Sequence, residues 1–467
     1  MLPENELVFH PLRSEDRSAH PLLGLDKFGP LSRAMVNSVL DPIRICAIFP
    51  FGYKSHLISL FRELEGTHKP IERPQYLPIF RGFSNIFGIR LVLASDTAHV
   101  ELPNYLDEKI TSSDNPHVLL AETLGQSINQ VNARRLDFDI LVILLAEKWE
   151  KCFIGLEGDE FDLHDHLKAI TAVQNIPMQI LREDRVFQYK CRCSVMWRLS
   201  LALYCKAGGI PWKLTDSSPE TAYIGISYAI RRYARPRFIT CCSQVFDADG
   251  TGLEFILYES DNIQIDGDNP FLNRSDMRRL MARSLGIYQS RHGGRTPKRV
   301  IIHKSTEFKK EEIEGCFDAW KTPAGLDLIQ IQVSTPWRGI YYSAPKFGIG
   351  KKGSLQRYPC PRGTFLQLGT REMLLWTQGN VKSILREGNF YKEGKGIPSP
   401  LLIKRFGGHS SWDNICMEIL GLTKMNWNND SLYDRLPVTL GYAKILARVV
   451  KRMPKLTRKP YNFKFFM

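Results

Sequence analysis

Four polar side chains in the first half of the chain have types and spacing suited to holding a small anion. His164 and Lys168 stand four residues apart in FDLHDHLKA, which puts them one turn apart on the same face of a helix. Gln179 follows in IPMQIL, and Lys206 lies in LYCKAGGIPW, in the last turn before Gly208 and Gly209. Two cationic or potentially cationic groups, an amide and a second lysine can surround an anion with charge-assisted hydrogen bonds, and a terminal phosphate fits. The bland alternative is a solvated helix face carrying Asp162, His164, Asp165, His166 and Lys168. The order and separation of the four favour the anion.

A second chemical signal is basic. From Gly441 to Met467 stand Lys444, Arg448, Lys451, Arg452, Lys455, Arg458, Lys459 and Lys464, with no acid among them. Lys444, Arg448, Lys451 and Arg452 share one helical face, with Leu446, Val449 and Val450 on the other. This stripe would neutralise backbone phosphates. Arg231, Arg232, Arg235 and Arg237, then Arg291, Arg295, Lys298 and Arg299, flank strands and are expected to make further backbone contacts, which position a nucleic acid without reading its bases. Over the whole chain, 63 Lys and Arg against 49 Asp and Glu leave a formal charge of +14, so a polyanionic partner is favoured over an acidic substrate.

Composition excludes other classes. The first thirteen residues mix acids with proline where a signal peptide would need an apolar stretch, and the longest strongly apolar run is Ile140 to Ala146. A cytoplasmic protein with no membrane partner is expected. The ten cysteines form no CxxC pair and no Cys/His cluster at zinc spacing, as in a protein with reduced, mostly buried thiols.

The elements that must position these residues follow from periodicity. Residues 1–41, rich in Pro, His and charge, show no sustained period and read as an arm that packs on something else. Strand Ile43 to Phe49 leads to a helix over Tyr53 to Glu65, then strand Ile89 to Ala94, a helix near Val118 to Asn129, strand Leu136 to Ala146, a polar helix over Asp162 to Gln174, strand Met178 to Leu181 and a helix over Gln188 to Ala207. Strands alternating with helices imply an α/β, doubly wound parallel sheet of Rossmann-like type. After the turn-rich segment 210–219 the pattern changes to three strands in succession, Thr221 to Tyr228, Arg237 to Asp247 and Leu253 to Tyr258, then helix Ser275 to Gln289 and strand Arg299 to His303. That order opens a ribonuclease H-like fold.

FDLHDHLKA, IPMQIL and LYCKAGGIPW, continued by AYIGISY, VIIHKSTEF, GCFDAW, LTKMNWNN and LPVTLGYAK, resemble the prokaryotic Argonautes, and within them the short group that keeps only the MID and PIWI domains. The resemblance covers most of residues 40 to 450. It implies an N-terminal arm (1–41), a MID domain (42–215) binding a guide 5′ end and a PIWI domain (216–467). It assigns His164, Lys168, Gln179 and Lys206 to the guide 5′-phosphate. It further implies that Mg²⁺, held by Gln179 and the C-terminal carboxylate of Met467, could complete the pocket.

Slicing by a ribonuclease H-like site needs acidic side chains that hold two divalent ions. Where active relatives carry aspartates, the resemblance places Ser227 and Ser305, and at the fourth ligand position Lys444. The family's loop glutamate has no assigned position: Glu254 and Glu259 are nearby, but both fit strand positions equally well. A chain without slicing activity is expected. The short group implies a guide RNA, a single-stranded DNA target and a heterodimer with an APAZ-domain effector fused to a sirtuin-like or TIR-type NADase, less often a nuclease. That effector would pack on the arm and the PIWI face, as part of abortive defence against plasmids or phages. The alternatives are a guided nuclease using relocated carboxylates such as Asp247 and Asp249, and a guide-independent nucleic-acid-binding protein.

Overall fold

Strand Ile140–Leu145 is buried at all six positions and Ile43–Phe49 at all but one, as required of parallel strands covered on both faces. In the computed structural model they form the centre of a five-stranded sheet in the order Leu91–Leu93, Ile43–Phe49, Ile140–Leu145, Met178–Arg182, with Val100–Glu101 also paired to Ile43–Phe49. Every pairing is parallel. Alternate side chains divide between two cores. Ile45, Ala47, Val142 and Leu144 meet helices Lys54–Glu65 and Arg192–Lys206, whereas Cys46, Ile48, Leu141 and Ile143 meet helix Pro116–Asn132. The structure describes all residues except 36–38, 40, 157–160, 216–219, 231–238, 248–249, 261–262, 268, 321–324, 344–352, 383–388, 392–395 and 453–460.

The second sheet has nine strands in the order Phe365–Gln367, Glu372–Leu375, Leu401–Gly407, Leu326–Gln332, Arg299–Lys304, Thr221–Ile230, Ile239–Phe246, Gly252–Ser260, Tyr461–Asn462. Only the pairings of Arg299–Lys304 with its two neighbours are parallel; the rest are antiparallel. Helices Arg274–Arg291 and Lys310–Ala319 cover the face carrying Ile224, Ile226, Val300 and Ile302. Helix Val438–Val450 covers the other, carrying Tyr223 and Ile301. Its close approach depends on Gly225, where an added Cβ would stand 2.1 Å from the Thr439 carbonyl oxygen.

The arm departs from expectation. It packs on its own chain: Leu7 and Val8 pair with Arg17–Ser18 on one side and with Lys213–Leu214 on the other, and Leu7, Phe9, Leu22 and Leu25 are fully buried. Glu4 joins Lys424 at 2.7 Å and Arg362 at 3.1 Å, and the Lys424 ammonium also donates to the carbonyls of Asn5 and Ala19. Two-residue strands are too short to show a period, which is why the sequence hides them. The expected strand from Leu136 begins instead at Ile140, because Arg135–Asp137 forms a single 3₁₀ turn. Among the described residues no helix is long and apolar enough to cross a membrane.

Candidate functional site

Asp162 caps helix Leu163–Val173 by accepting from the backbone N–H of Asp165 at 2.9 Å. The helix then buries Leu163, Leu167, Ala169 and Ala172, and with them Asp165 and Lys168, so its polar residues do not form a solvated face. Lys168 is 4% exposed and donates to the Phe466 carbonyl at 3.0 Å. Lys206, at the end of helix Arg192–Lys206, is 2% exposed and donates to Gln179 Oε1 at 2.8 Å and Asn428 Oδ1 at 3.4 Å. Gln179 is steadied by donating its own amide to the Ile180 carbonyl at 2.9 Å.

All of these acceptors are neutral, and among the described residues neither ammonium forms an ion pair. Burial pushes the Lys168 pKa down to about 8; burial and then the charge of Lys168 push Lys206 to about 7. Asp165 and Asp162 offset the burial of Lys168 only from a distance, so among the described residues the two buried ammonium groups have no carboxylate in contact and form a site that an anion would stabilise. His164 lies at the surface beside them, 3.4 Å from Asp165; desolvation lowers its pKa more than Asp165 raises it. The last residue, Met467, is buried next to the carbonyl that Lys168 holds. The structure therefore brings His164, Lys168, Gln179, Lys206 and Met467 to one place, the junction of the two sheets.

The donor set does not fit the expected Mg²⁺ in this arrangement, because Gln179 Oε1 is already the acceptor of the Lys206 ammonium. Asp162, His164 and Asp165 also lie within reach of a common point. Their carboxylates are engaged, however, one in the helix cap and one with arginines.

Those arginines are Arg448 and Arg452, whose guanidinium groups lie 3.7 and 3.5 Å from the buried Asp165 carboxylate. The basic stripe therefore also ties helix Val438–Val450 to the pocket. Arg448 stays mostly exposed, as do Lys444 and Lys451. Lys444 lines a cavity with Arg435, Asp434 and Asn426, and burial, then Arg435, lower its pKa. Lys455, Arg458 and Lys459, and Arg231, Arg232, Arg235 and Arg237, lie outside the described residues. Arg299 is not a backbone contact: it is held between Asp327 and Glu418. Arg291 pairs with Glu254 and Lys298 with Glu220.

In the second sheet, the parallel register sets Ile226 beside Lys304, so the next positions are Ser227, the seventh residue of the ten-residue strand Thr221–Ile230, and Ser305, the residue just past strand Arg299–Lys304. Lys304 turns inward to a buried pair with Glu312, its ammonium 2.6 and 2.7 Å from the two carboxylate oxygens. Tyr228 and the Leu272 N–H also donate to Glu312. That carboxylate is fully engaged. Asp247 follows Phe246, which pairs with Tyr223 near the start of strand Thr221–Ile230, away from Ser227, and it pairs with His292 at 3.1 Å. Asp249 and the side chain of Glu259 lie outside the described residues.

Sequence reasoning missed Asn428 and the Phe466 carbonyl. The motif LTKMNWNN contains the first, but nothing local marks which of its asparagines reaches Lys206.

No family model matches the chain. It is 20% identical over 336 residues to an Argonaute protein of Aquifex aeolicus, covering 71% of this chain and 41% of that one. Among solved structures it is similar to Clostridium butyricum Argonaute bound to a guide DNA and a 19-mer target DNA, with TM-score 0.62, 15% identity, 97% of this chain and 53% of that one. It is likewise similar to Drosophila Piwi, with TM-score 0.63, 14% identity, 100% of this chain and 56% of that one. The chain thus spans about half the length of the relatives it matches. It has the Argonaute/Piwi fold, a Rossmann-like MID unit followed by a ribonuclease H-like PIWI unit.

Proposed function

We propose that the chain holds the 5′-phosphate of a guide strand between its two sheets and recognises a complementary strand by base pairing, without cutting it. The carrying observation is the pair of buried lysines, Lys168 and Lys206, whose hydrogen-bond acceptors among the described residues are the neutral oxygens of Phe466, Gln179 and Asn428. A phosphate dianion supplies the missing charge. Gln179 Oε1 would keep the Lys206 ammonium oriented toward the phosphate, and His164, at the surface beside Asp165, would stack on the first nucleotide. Sequence selection belongs to the guide, while the protein contributes shape and charge.

In the proposed assembly the guide is RNA and the target single-stranded DNA. By the resemblance, Ser227, Ser305 and Lys444 stand where active relatives carry metal-ligating acids, a set that cannot balance two divalent ions. An output therefore belongs to a partner, an APAZ-domain effector with a sirtuin-like or TIR-type NADase. The partner is proposed on the resemblance to short Argonautes.

Binding of a fluorescent guide carrying either a 5′-phosphate or a 5′-hydroxyl tests the pocket. Lys168→Ala and Lys206→Ala should each weaken the phosphorylated guide by about 1–3 kcal/mol and the hydroxyl guide by little. Equal losses for both would mean that these lysines do not meet a terminal phosphate.

A further inference from the structure

Beyond strand Leu326–Gln332 the chain makes an excursion that neither core absorbs. Trp337 is 47% exposed, Ile340 61%, Tyr342 57% and Leu355 63%. The segment is nevertheless built. Tyr342–Ser343 and Ser354–Leu355 pair antiparallel with Tyr342 opposite Leu355. The Tyr342 hydroxyl donates to the Gly353 carbonyl, and the Gln356 N–H donates to the Tyr341 carbonyl. At the base, Gly339 lies against Cys360 and Trp376, where an added Cβ would stand 2.9 and 3.0 Å away. The described residues of the excursion, 334–343 and 353–358, are thus anchored, and the rings and aliphatic groups named above are left in solvent.

Charge narrows what could cover them. From Leu328 to Arg371 the sequence contains no Asp or Glu, and Arg338 and Arg357 stand exposed among the aromatic groups. Rings and arginines populate protein interfaces as well, so the deciding feature is the absence of any acid along this stretch, which leaves its charge complementary to a polyanion. Flat rings interleaved with cations and free of anions match instead an unpaired nucleic-acid strand, whose bases stack on rings while its phosphates meet arginines. Position agrees. The strand that leads into the hairpin runs parallel to Arg299–Lys304, so the excursion leaves from the same carboxyl end that carries Ser305. Val333, at its root, lines the cavity of Lys444 and Arg435.

We propose that this hairpin, through Trp337, Tyr342 and Leu355 with Arg338 and Arg357, is a stacking platform for single-stranded nucleic acid, taking the unpaired continuation of a strand whose paired part lies across the sheet ends. The placement rests on the guide-binding reading above, whereas the stacking chemistry does not.

The test uses the full chain loaded with a 5′-phosphorylated guide and two targets, one ending flush with the guide and one extended by roughly ten unpaired nucleotides at either end. The wild type should prefer the extended target by roughly tenfold, the effect of one or two stacked bases. Trp337→Ala combined with Tyr342→Ala should abolish that preference and leave flush-target affinity and guide binding unchanged. Independently of any variant, an extension carrying 5-iodouracil should photo-crosslink the wild type at Trp337 or Tyr342. Absence of a preference in the wild type, or crosslinks only outside residues 334–358, overturns the platform while the guide pocket stands. Loss of binding to a partner protein in the double variant, with the extension preference intact, overturns it in favour of a protein interface. If no guide binds, the pocket reading fails, and crosslinking of a free single strand still decides the platform.

Discussion

At the scale of the residue, the lysine pair sets a pH dependence whose sign is opposite to that of an ordinary ion pair. Both values lie below the 10.5 of a free lysine, at about 8 for Lys168 and about 7 for Lys206. Below pH 7 both are charged in the folded and the unfolded chain, and the cost of keeping charge in the interior is fully present. Between about 7 and 10.5 the unfolded chain binds protons that the folded chain has released, so the guide-free protein should gain stability as pH rises through that window. A phosphate reverses the shift by favouring the charged form. Guide binding at pH 8 should therefore take up protons. Calorimetry in HEPES and in Tris, whose ionisation enthalpies differ, reads that uptake directly, and a phosphorylated guide that binds with none would show that the lysines are already charged or remain neutral. The residue types of the pocket could be read from sequence because their order and spacing are local. Their burial could not, since it depends on Phe466 and Asn428, 298 and 222 residues away from the lysines they meet. The same distance misled the assignment of Arg299: a cation beside a strand looks like a phosphate contact until Glu418, 119 residues on, packs against it.

At the scale of the element, periodicity marked the four longer strands of the first sheet and four strands of the second, but it did not mark Leu326–Gln332, Leu401–Gly407 or the shorter strands of the second sheet, nor the two-residue strands of the arm. Register adds what periodicity lacks. Because Ile226 and Lys304 are neighbours, Ser227 and Ser305 adjoin, as two metal-ligand positions must. Restoring acids there is the natural challenge. Ser227→Asp with Ser305→Asp should not yield a robust nuclease, because the resemblance puts the cation Lys444 at the fourth ligand position and the buried Glu312 is held by Lys304, Tyr228 and the Leu272 N–H. Asp247, paired with His292 and aligned with the start of the strand, is in no position to substitute. Clean Mn²⁺-dependent cutting of a paired target by the double variant would mean that a complete ligand set exists at these strand ends.

At the scale of the whole molecule, the two units are tied at several points that involve charge. Asp165 of the first meets Arg448 and Arg452 of the second; Asp430 of the second meets Arg73, Arg198 and Ser194 of the first; and the arm clips both through Leu7, Glu4 and Lys424. The lysine site proposed to hold the guide end lies at this junction, so a ligand there can bias how the units sit, but only by its differential affinity for the arrangements available. Leu7, Phe9, Leu22 and Leu25 of the arm are buried, whereas Met1, Leu12, Leu23 and Met35 stay exposed, so a partner packing on the arm would meet the second set. If the proposed effector reads the junction, guide alone should leave it nearly silent, and guide with complementary target should switch it on. NAD consumption by the purified pair, with and without target, measures this, and equal activity without target would sink the sensor reading. The arginines of the stripe should then separate by role. Neutralising Arg448 and Lys451, both exposed, should flatten the salt dependence of duplex binding, because fewer counterions are released. Arg452→Ala, removing a mostly buried partner of Asp165, should act chiefly by loosening the junction, lowering the thermal midpoint while leaving the salt slope nearly unchanged.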